Sequence, residues 1–246
     1  MAYVAISQEL HGDKRWVRHP SLLFANTDTV APLLVSDLAS AVQALPIGFI
    51  KQEQGFVLVV LMGLRADENV LVSSKGEWLS EYMPAIYRSS PFELLAAGDH
   101  QVLSIDETCI RDGDGDEGEL FFEEGVITDS IRDVFERVQQ INATRTTTQN
   151  ICMVLAEHEI LKPWPITISD GPNQQEVRGL YCVDEEALNA LPDEKFLALR
   201  RTHALPVAYA QLYSMQKLTH LARLAQQRPA VLQQESTQEI FSFAGL

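Results

Sequence analysis

The most regular spacing of chemically active side chains lies in an acidic segment near the middle of the chain. If Asp112 is the first position of a calcium loop, Asp114, Asp116 and Glu123 fall at the third, fifth and twelfth positions, where carboxylates are required. The sixth position needs glycine for a sharp turn, but Glu117 stands there. The flanking residues also have the pattern of strands, not of paired helices. The sequence therefore favours an exposed, solvated acidic loop and predicts no metal site.

Carboxylates and histidines offer one weak acid–base combination. Asp99 and His100, together with Asp106 and Glu107, would supply a general base and its orienting acid if the fold brought them together. None of the six histidines has the spacing of a zinc motif, and motifs for serine hydrolases, dinucleotides and nucleoside triphosphates do not occur. The sequence predicts no cofactor, assigns no catalytic residue, and leaves open whether the protein is an enzyme.

An aromatic and arginine-containing segment, 76–92, is the strongest candidate for a binding surface. Its pattern predicts a helix running through Tyr87, on which Trp78 and Tyr82 would share one face because they are four residues apart. Arg88 follows, and its planar guanidinium suits paired hydrogen bonds to a carboxylate or carbonyl. Aromatic and arginine side chains together are typical of interfaces. We predict that Trp78, Tyr82 and Arg88 bind a partner; the alternative is that the aromatic rings pack the helix against a sheet.

The charge of the chain restricts the class of partner. Lys and Arg number 19 against 34 Asp and Glu, for a formal net charge of −15. Residues 93–125 carry 11 of the acidic residues and one arginine. No basic stripe is present of the kind that nucleic-acid backbones or anionic lipid head groups require. We therefore expect a protein or peptide partner, with a small ligand as the alternative, and no binding to nucleic acid.

Cysteine usage and hydropathy indicate a location. Cys109, Cys152 and Cys182 are far apart and form no CxxC pair, which suits buried thiols in a reducing compartment. The N-terminus has no basic stretch followed by an apolar run, as a secretory signal would. The longest apolar run, 56–64, is about half of what a membrane helix needs. We predict a cytoplasmic protein without a transmembrane segment.

The elements that position these residues are predicted from periodicity and turn signals. A buried run at 56–62 pairs with 47–50 across a glycine-containing turn, and a second hairpin joins 166–168 to 177–183. A short strand is predicted at 69–72. Helices are predicted over 36–44, 128–141, 151–160 and from about 204 onwards, with the polar residues 142–149 either as a break or as part of one long helix. This order predicts an α+β fold: a largely antiparallel sheet built from hairpins, with several packed helices.

Several short motifs, in this order, resemble the SapC family of bacterial proteins. The resemblance covers about 8–222 and is carried by Phe56, Leu58, Leu61, Gly63, Leu64, Glu68, Asn69, Val70, Gly76, Trp78, Tyr82, Pro84, Tyr87, Arg88, Pro91, Phe92, Ile105, Asp106, Glu107, Gly118, Leu120, Phe121, Trp164, Gly179, Leu180, Tyr181, Val183, Asp184, Glu185, Ala204, Leu205, Ala208, Tyr209, Leu212 and Ser214. It is not the peptide-transporter permease of the same name, which would need spanning helices. The extent of the match predicts one domain over 1–225.

The resemblance implies a functional setting but no catalytic residues. The family name implies a link to bacterial surface layers and their export. Relatives encoded beside TonB-dependent receptors and tryptophan-halogenase-like proteins imply a cell-envelope or uptake role, or partnership with an enzyme. We therefore expect a non-catalytic accessory or binding protein. The alternative is an enzyme, or a substrate-presenting partner, in modification of a peptide or small molecule.

The end of the chain forms a separate prediction. Residues 226–246 are predicted as a polar tether with an apolar C-terminal tail. Phe241 and Phe243 alternate as they would in a strand added to a sheet edge or groove. We expect the tail to dock on its own chain or on a neighbouring copy, which would give self-association.

Overall fold

The computed structural model describes residues 2–98, 100–115, 117–170 and 173–227, apart from the side chains of residues 169, 170 and 173–175. Fifteen strands occur in this part of the chain. In order they are β1 (Tyr3–Ala5), β2 (Arg15–Trp16), β3 (Val30–Pro32), β4 (Ile47–Gln52), β5 (Gly55–Leu61), β6 (Phe92–Ala97), β7 (His100–Asp106), β8 (Ile110–Arg111), β9 (Glu119–Leu120), β10 (Phe122–Glu123), β11 (Val126–Ile127), β12 (Leu161–Pro163), β13 (Ile166–Asp170), β14 (Asn173–Val177) and β15 (Leu180–Val183).

The same part of the chain contains eight α-helices. They are α1 (Gln8–His11), α2 (Leu38–Ala44), α3 (Ala85–Ser89), α4 (Asp129–Glu157), α5 (Glu185–Asn189), α6 (Asp193–Arg201), α7 (Ala204–Ser214) and α8 (Lys217–Gln227). Every named pair of strands is antiparallel. The predicted α+β class is therefore confirmed, with 41% helix and 26% strand. No helix among the described residues is both long enough and apolar enough to cross a membrane.

The chain forms two compact units. Unit 1 comprises the described residues within Met1–Ser21 and Ala85–Thr144, and unit 2 those within Leu22–Pro84 and Arg145–Leu246. Each unit has its own sheets, and each is considered by itself below. The prediction of one domain over 1–225 stays a prediction, as does docking of the tail, since residues 228–246 lie outside the described residues.

Unit 2 is built on a five-stranded sheet in the order β12-β15-β4-β5-β3. The hairpin of β4 and β5 has the predicted register, with Phe49 opposite Leu58. Both faces of this hairpin are covered, since Leu58–Leu61 are all buried. The continuous apolar run thus became a central strand, because a strand buried on both faces has no polar side to display.

The second predicted hairpin divides between two sheets. Within the described part of the chain, strands β13 and β14 pair only with each other, whereas β15 joins the five-stranded sheet between β4 and β12. The predicted strand at 69–72 is wrong: only Val72 forms a bridge, with Trp78. The polar stretch 142–149 does not interrupt α4, which is one continuous helix.

Unit 1 contains two three-stranded sheets, β1-β7-β6 and β8-β2-β9, and the hairpin of β10 and β11. Its core combines aromatic and aliphatic side chains from these sheets with one face of α4. The core includes Trp16, Phe92, Ile105, Cys109, Phe121, Phe122, Ile131, Val134 and Val138. The spacing of the last three follows the predicted helix stripe, because positions three and four apart share a face.

Candidate functional site

The segment that carries Trp78 and Tyr82 is not helical, so the predicted helix from 76 through Tyr87 is wrong. Helix α3 begins only at Ala85. Gly76 adopts a positive φ of 80° and closes a turn that returns the chain against Leu71, whose carbonyl accepts a hydrogen bond from the Leu79 amide at 2.8 Å. Pro84 further disfavours helical geometry in the residue before it. Trp78 and Tyr82 therefore share no helix face.

The two aromatic residues are nevertheless joined by a hydrogen bond. The indole Nε1 of Trp78 donates to the backbone oxygen of Tyr82 at 2.9 Å. Tyr82 is only 5% exposed, and its hydroxyl donates to Asp37 at 3.1 Å, whereas Trp78 is half-buried. Within unit 2, Tyr82 belongs to the core, and Trp78 lies at the edge of the core.

An open groove of about 750 Å³ lies next to this segment in unit 2. It is lined by the residues between Trp78 and Tyr82, by residues of α8 and by the end of α2 with the residues that follow it. Its lining includes Gln43, Ala44, Leu45, Pro46, Leu71, Leu79, Ser80, Glu81, Gln216, Lys217, Thr219, His220, Leu221, Arg223 and Leu224. Leu79 is 55% exposed, and buried Leu71 and Leu221 add to the apolar lining.

The charges of the groove are opposite to those of the chain as a whole. Lys217 and Arg223 on α8 face it, against the single carboxylate of Glu81. Arg223 Nη2 lies 2.9 Å from Nδ1 of His220. Since an arginine can only donate, His220 must accept through this nitrogen. A groove with exposed apolar surface and two cations suits a ligand that combines an apolar group with a carboxylate.

Arg88, the third predicted binding residue, belongs to unit 1 and is therefore described apart from Trp78 and Tyr82. It is exposed on α3 and lines a small cleft together with Arg18, Ser89, Ser90, Phe92, Val134, Arg137 and Val138. The binding roles of all three predicted residues stay predictions. What the structure adds is that Arg88 has two other arginines beside the same cleft.

A buried polar cluster in unit 1 has no signal in the sequence. Sγ of Cys109 lies 3.3 Å from Nδ1 of His19, and Nε2 of His19 lies 3.6 Å from Oδ2 of Asp106. Oδ1 of Asp106 accepts from the amide and hydroxyl of Thr108, while Oδ2 has no hydrogen-bond partner among the described residues. Cys109 is 1% exposed and Asp106 is 0% exposed. About ninety residues separate His19 from the other members, so spacing alone gave no indication.

Asp106 and His100 are considered together in the sequence analysis, as members of one acid–base combination. Both lie on β7, at its opposite ends. At about 3.3 Å per residue, a strand places them roughly 20 Å apart. The predicted acid–base pair is therefore wrong, because an extended strand separates what a compact turn would have joined.

Burial determines the charge state of the cluster. It raises the pKa of the Cys109 thiol, although a hydrogen bond from Thr108 opposes this, and it lowers the pKa of His19 despite the nearby Asp106 carboxylate. Burial also raises the pKa of Tyr3 to about 12, with further contributions from Glu93, Asp106 and Cys109. Activated cysteines carry a thiolate beside an imidazolium. Here a neutral thiol faces a neutral imidazole at pH 7, as in a structural core.

The acidic loop is held by protein contacts. Nη1 of Arg15 donates to the backbone oxygen of Gly118 at 2.9 Å, and Lys14 pairs with Asp112 at 3.7 Å. Gly113 passes so close to Asp13 that a Cβ there would overlap its carbonyl oxygen. Asp116, one of the calcium-like positions, lies outside the described residues. Among those described, no three His, Cys, Asp or Glu side chains form a group that could hold a metal.

Comparison with known proteins gives one finding. Residues 6–221 match the family model described as SapC. No curated protein and no solved structure matches the chain. The matched region includes residues of both units, the cleft lined by Arg88, the buried cluster and most of the groove lining, whereas Arg223 and Leu224 lie beyond it. Because the match extends over most of the 246 residues, the resemblance of the motifs is confirmed, and the chain belongs to the SapC family.

Proposed function

We propose that the protein is a non-catalytic accessory protein that binds a peptide segment of a partner in the groove of unit 2. The observation that carries the proposal is the exposed Leu79 at a groove of about 750 Å³, a volume typical of ligand sites. Apolar side chains that remain accessible beside a concave surface favour docking of another molecule. Trp78 precedes Leu79 in the chain, but it is not one of the residues that line the groove.

The charges favour one kind of occupant. Lys217 and Arg223 would attract a carboxylate, while Leu79 and Leu224 would contact an apolar side chain. Although the chain as a whole has a net charge of −15, this local excess of cations favours an acidic segment over a basic one within the groove. We therefore expect the bound peptide to present an apolar side chain close to an acidic one. A small carboxylate ligand is the other outcome that the test distinguishes.

The family name supports a proposal for the cellular setting. The name supports a role in the surface-layer or uptake systems of the bacterial cell envelope, and we propose that the protein serves such a system from the cytoplasm. Fractionation of the native bacterium with detection of the protein tests this location. Recovery in the membrane or outside the cell would contradict it.

The second candidate function is an enzyme, or a protein that presents a substrate to one. The approach of Cys109, His19 and Asp106 favours it, because these residue types occur in thiol-dependent acyl transfer. The buried thiol with its raised pKa argues against it. Turnover of a peptide or thioester by the wild-type protein, abolished in Cys109→Ala, would favour this alternative.

A capture experiment with matched variants tests the proposed function. The bait would be the wild-type protein, Leu79→Asp, or the control Leu23→Asp, whose leucine is 49% exposed in unit 2 but outside the groove. We expect wild type and control to capture the same proteins and Leu79→Asp to lose them. Equal capture by both variants would contradict the groove as the binding site.

A second step identifies the ligand class. Synthetic peptides from the captured protein would be titrated by fluorescence anisotropy against wild type and the pair Lys217→Glu, Arg223→Glu. We expect binding of a peptide with an acidic residue to weaken at least about tenfold in the charge-reversed protein, and replacing that residue by alanine to have a similar effect. Binding of a basic peptide alone would contradict the proposed occupant. Small molecules found by mass spectrometry in the captured material, with no protein, would identify a small ligand instead.

A further inference from the structure

We propose that unit 1 carries a separate oxyanion-binding site in the cleft between Arg18, Arg88 and Arg137. Its ligand class is a carboxylate or a phosphate group. The site lies outside the groove, and it would bind a different ligand from the peptide proposed there. It is inferred from Arg18 and Arg137, which line one cleft, and from a buried hydroxyl there that has no hydrogen-bond partner among the described residues.

The arginines come from three different elements. Arg18 follows β2, Arg88 lies on α3, and Arg137 lies on α4, and all three are exposed at the same cleft. Unit 1 contains 7 Lys and Arg against 16 Asp and Glu in its two ranges. In so acidic a unit, three cations beside one cleft create a local positive potential that an anion would neutralise.

Two of these arginines differ from the others of unit 1 in their contacts. Arg15 and Arg111 donate to backbone oxygens, and Arg132 pairs with Asp129 at 2.6 Å. Among the described residues, no carboxylate lies within ion-pair distance of Arg18 or Arg137. Arg18 lies over the ring of Trp16, 5.9 Å from its centroid.

Arg88 contributes to the site in a different way. It has a partner within the protein, so the proposal rests on Arg18 and Arg137. Arg88 lines the same cleft, and its side chain is exposed there.

The lining of the cleft includes a polar group without a hydrogen-bond partner among the described residues. Oγ of Ser90 is buried and has no hydrogen-bond partner among the described residues. Buried hydroxyl groups are nearly always paired, because leaving one unpaired costs free energy. Phe92, Val134 and Val138 add apolar surface to the lining of the same cleft. An oxyanion would accept from this hydroxyl, and the apolar walls would strengthen its attraction to the guanidinium groups.

The dimensions of the cleft limit what enters it. Its enclosed volume is about 10 Å³, which is the space of roughly one water-sized group. One oxygen of the ligand would therefore reach Ser90, while its other oxygens stay at the mouth with the arginines. A guanidinium makes two parallel hydrogen bonds to either a carboxylate or a phosphate, so this geometry suits both.

Direct titration with two anions tests the site. Inorganic phosphate and acetate would each be titrated into the full-length protein by calorimetry at millimolar concentrations and constant ionic strength. The proteins compared would be wild type, the pair Arg18→Gln, Arg137→Gln, and the control Arg132→Gln on the same helix. Arg18, Arg137 and Arg132 are all exposed, so the variants should keep the circular dichroism spectrum of the wild type.

We expect saturable binding to wild type and to Arg132→Gln, weakened at least about tenfold in the double variant. Ser90→Ala should weaken binding by a smaller factor. If only one anion binds, the natural ligand carries that group, either a phosphate or a carboxylate. Equal binding of both anions would indicate that the site recognises the negative charge. Absence of saturation with wild type, or equal affinity in the double variant, would overturn the proposal. Leu79→Asp should not affect this binding, which separates it from the proposed function.

Discussion

The two units differ in the kind of polar group that each one buries. In unit 2, Gln211 on α7 accepts from the amide of Val183 at 2.8 Å and donates to the oxygen of Ile47 at 3.2 Å. The hydroxyl of Ser214 accepts a hydrogen bond from the Ile47 amide and donates one to the backbone oxygen of Gln211. The side chains of Gln211 and Ser214 are neutral, and their hydrogen bonds link α7 to the sheet. The scaffold beside the groove is therefore held by hydrogen bonds that do not depend on pH.

Unit 1 buries groups that titrate. Asp106, His19 and Cys109 face one another, and His11 is also buried, against the ring of Phe121. One oxygen of Asp106 has no hydrogen-bond partner among the described residues. In a polar core of this kind some hydrogen-bonding groups lack a partner, and the stability of the core depends on the protonation of its side chains. We therefore expect acidification to affect unit 1 before unit 2, while loss of a hydrogen bond should matter most in unit 2.

Large-to-small substitutions in the two cores should have the largest effect. Phe49→Ala in unit 2 and Phe121→Ala in unit 1 each remove a side chain that is fully buried. We expect each to lower the free energy of unfolding by about 3–5 kcal/mol. If 1–225 is one domain, both variants should shift the same single transition in calorimetry. Two transitions, each shifted by only one variant, would contradict the single domain.

Removal of the buried amide in unit 2 comes next. Gln211→Ala leaves the Val183 amide and the Ile47 carbonyl unpaired. We expect a loss of about 1–3 kcal/mol for each group, measured by urea unfolding. The control Gln226→Ala, an exposed glutamine on α8, should change stability by less than about 0.5 kcal/mol. Equal effects of the two substitutions would show that the hydrogen bonds of Gln211 do not support the sheet.

Acidification should have a smaller effect, and in unit 1 only. Burial lowers the folded-state pKa of His11 and His19 below 6.5. Between that folded value and 6.5 the unfolded state binds protons that the folded state does not, so the free energy of unfolding falls as the pH falls through this window.

Hydrogen exchange at neutral pH and at about pH 5.5, corrected for intrinsic rates, measures this effect. Exchange should accelerate in β1 and β7 but not in β4 and β5. His19→Gln should reduce the difference. Equal acceleration in both units would contradict the assignment of the titrating groups.

Cysteine reactivity should show the smallest effect. Burial raises the pKa of Cys109 and Cys182, and that of Cys152 to about 11. We expect all three thiols to react slowly with iodoacetamide in the folded protein at pH 7. Rapid and selective alkylation of Cys109, lost in His19→Gln, would support the enzyme instead.

The sequence was most informative where side chains alternate or repeat along one element. The apolar run at 56–62 predicted a buried strand, and Ile131, Val134 and Val138 predicted one face of α4. The helix expected to carry Trp78 and Tyr82 was wrong because Gly76 and Pro84 outweighed the spacing of the aromatic residues. Turn geometry is decided locally, but it overrides a weak periodic pattern.

The candidate sites were less predictable, since each assembles from distant residues. His19 follows β2 and Cys109 follows β7, and the two side chains come together only in the folded chain. Their distance along the sequence does not indicate this contact. The cations of the groove come from α8, far from Leu79 in sequence. The binding role of Arg88 was predicted from its residue type. The residues that lie beside it at the cleft had no signal in the sequence.

Photocrosslinking from the groove tests the central claim most directly. A photoreactive phenylalanine analogue would replace Leu79 or, as the control, Leu23, in the native bacterium. Both positions are exposed in unit 2, but only Leu79 lines the groove. We predict that position 79 crosslinks to one defined segment of a partner, with an apolar residue close to an acidic one, and that position 23 does not. The same products from both positions, or none from position 79, would contradict the groove as the site of peptide binding.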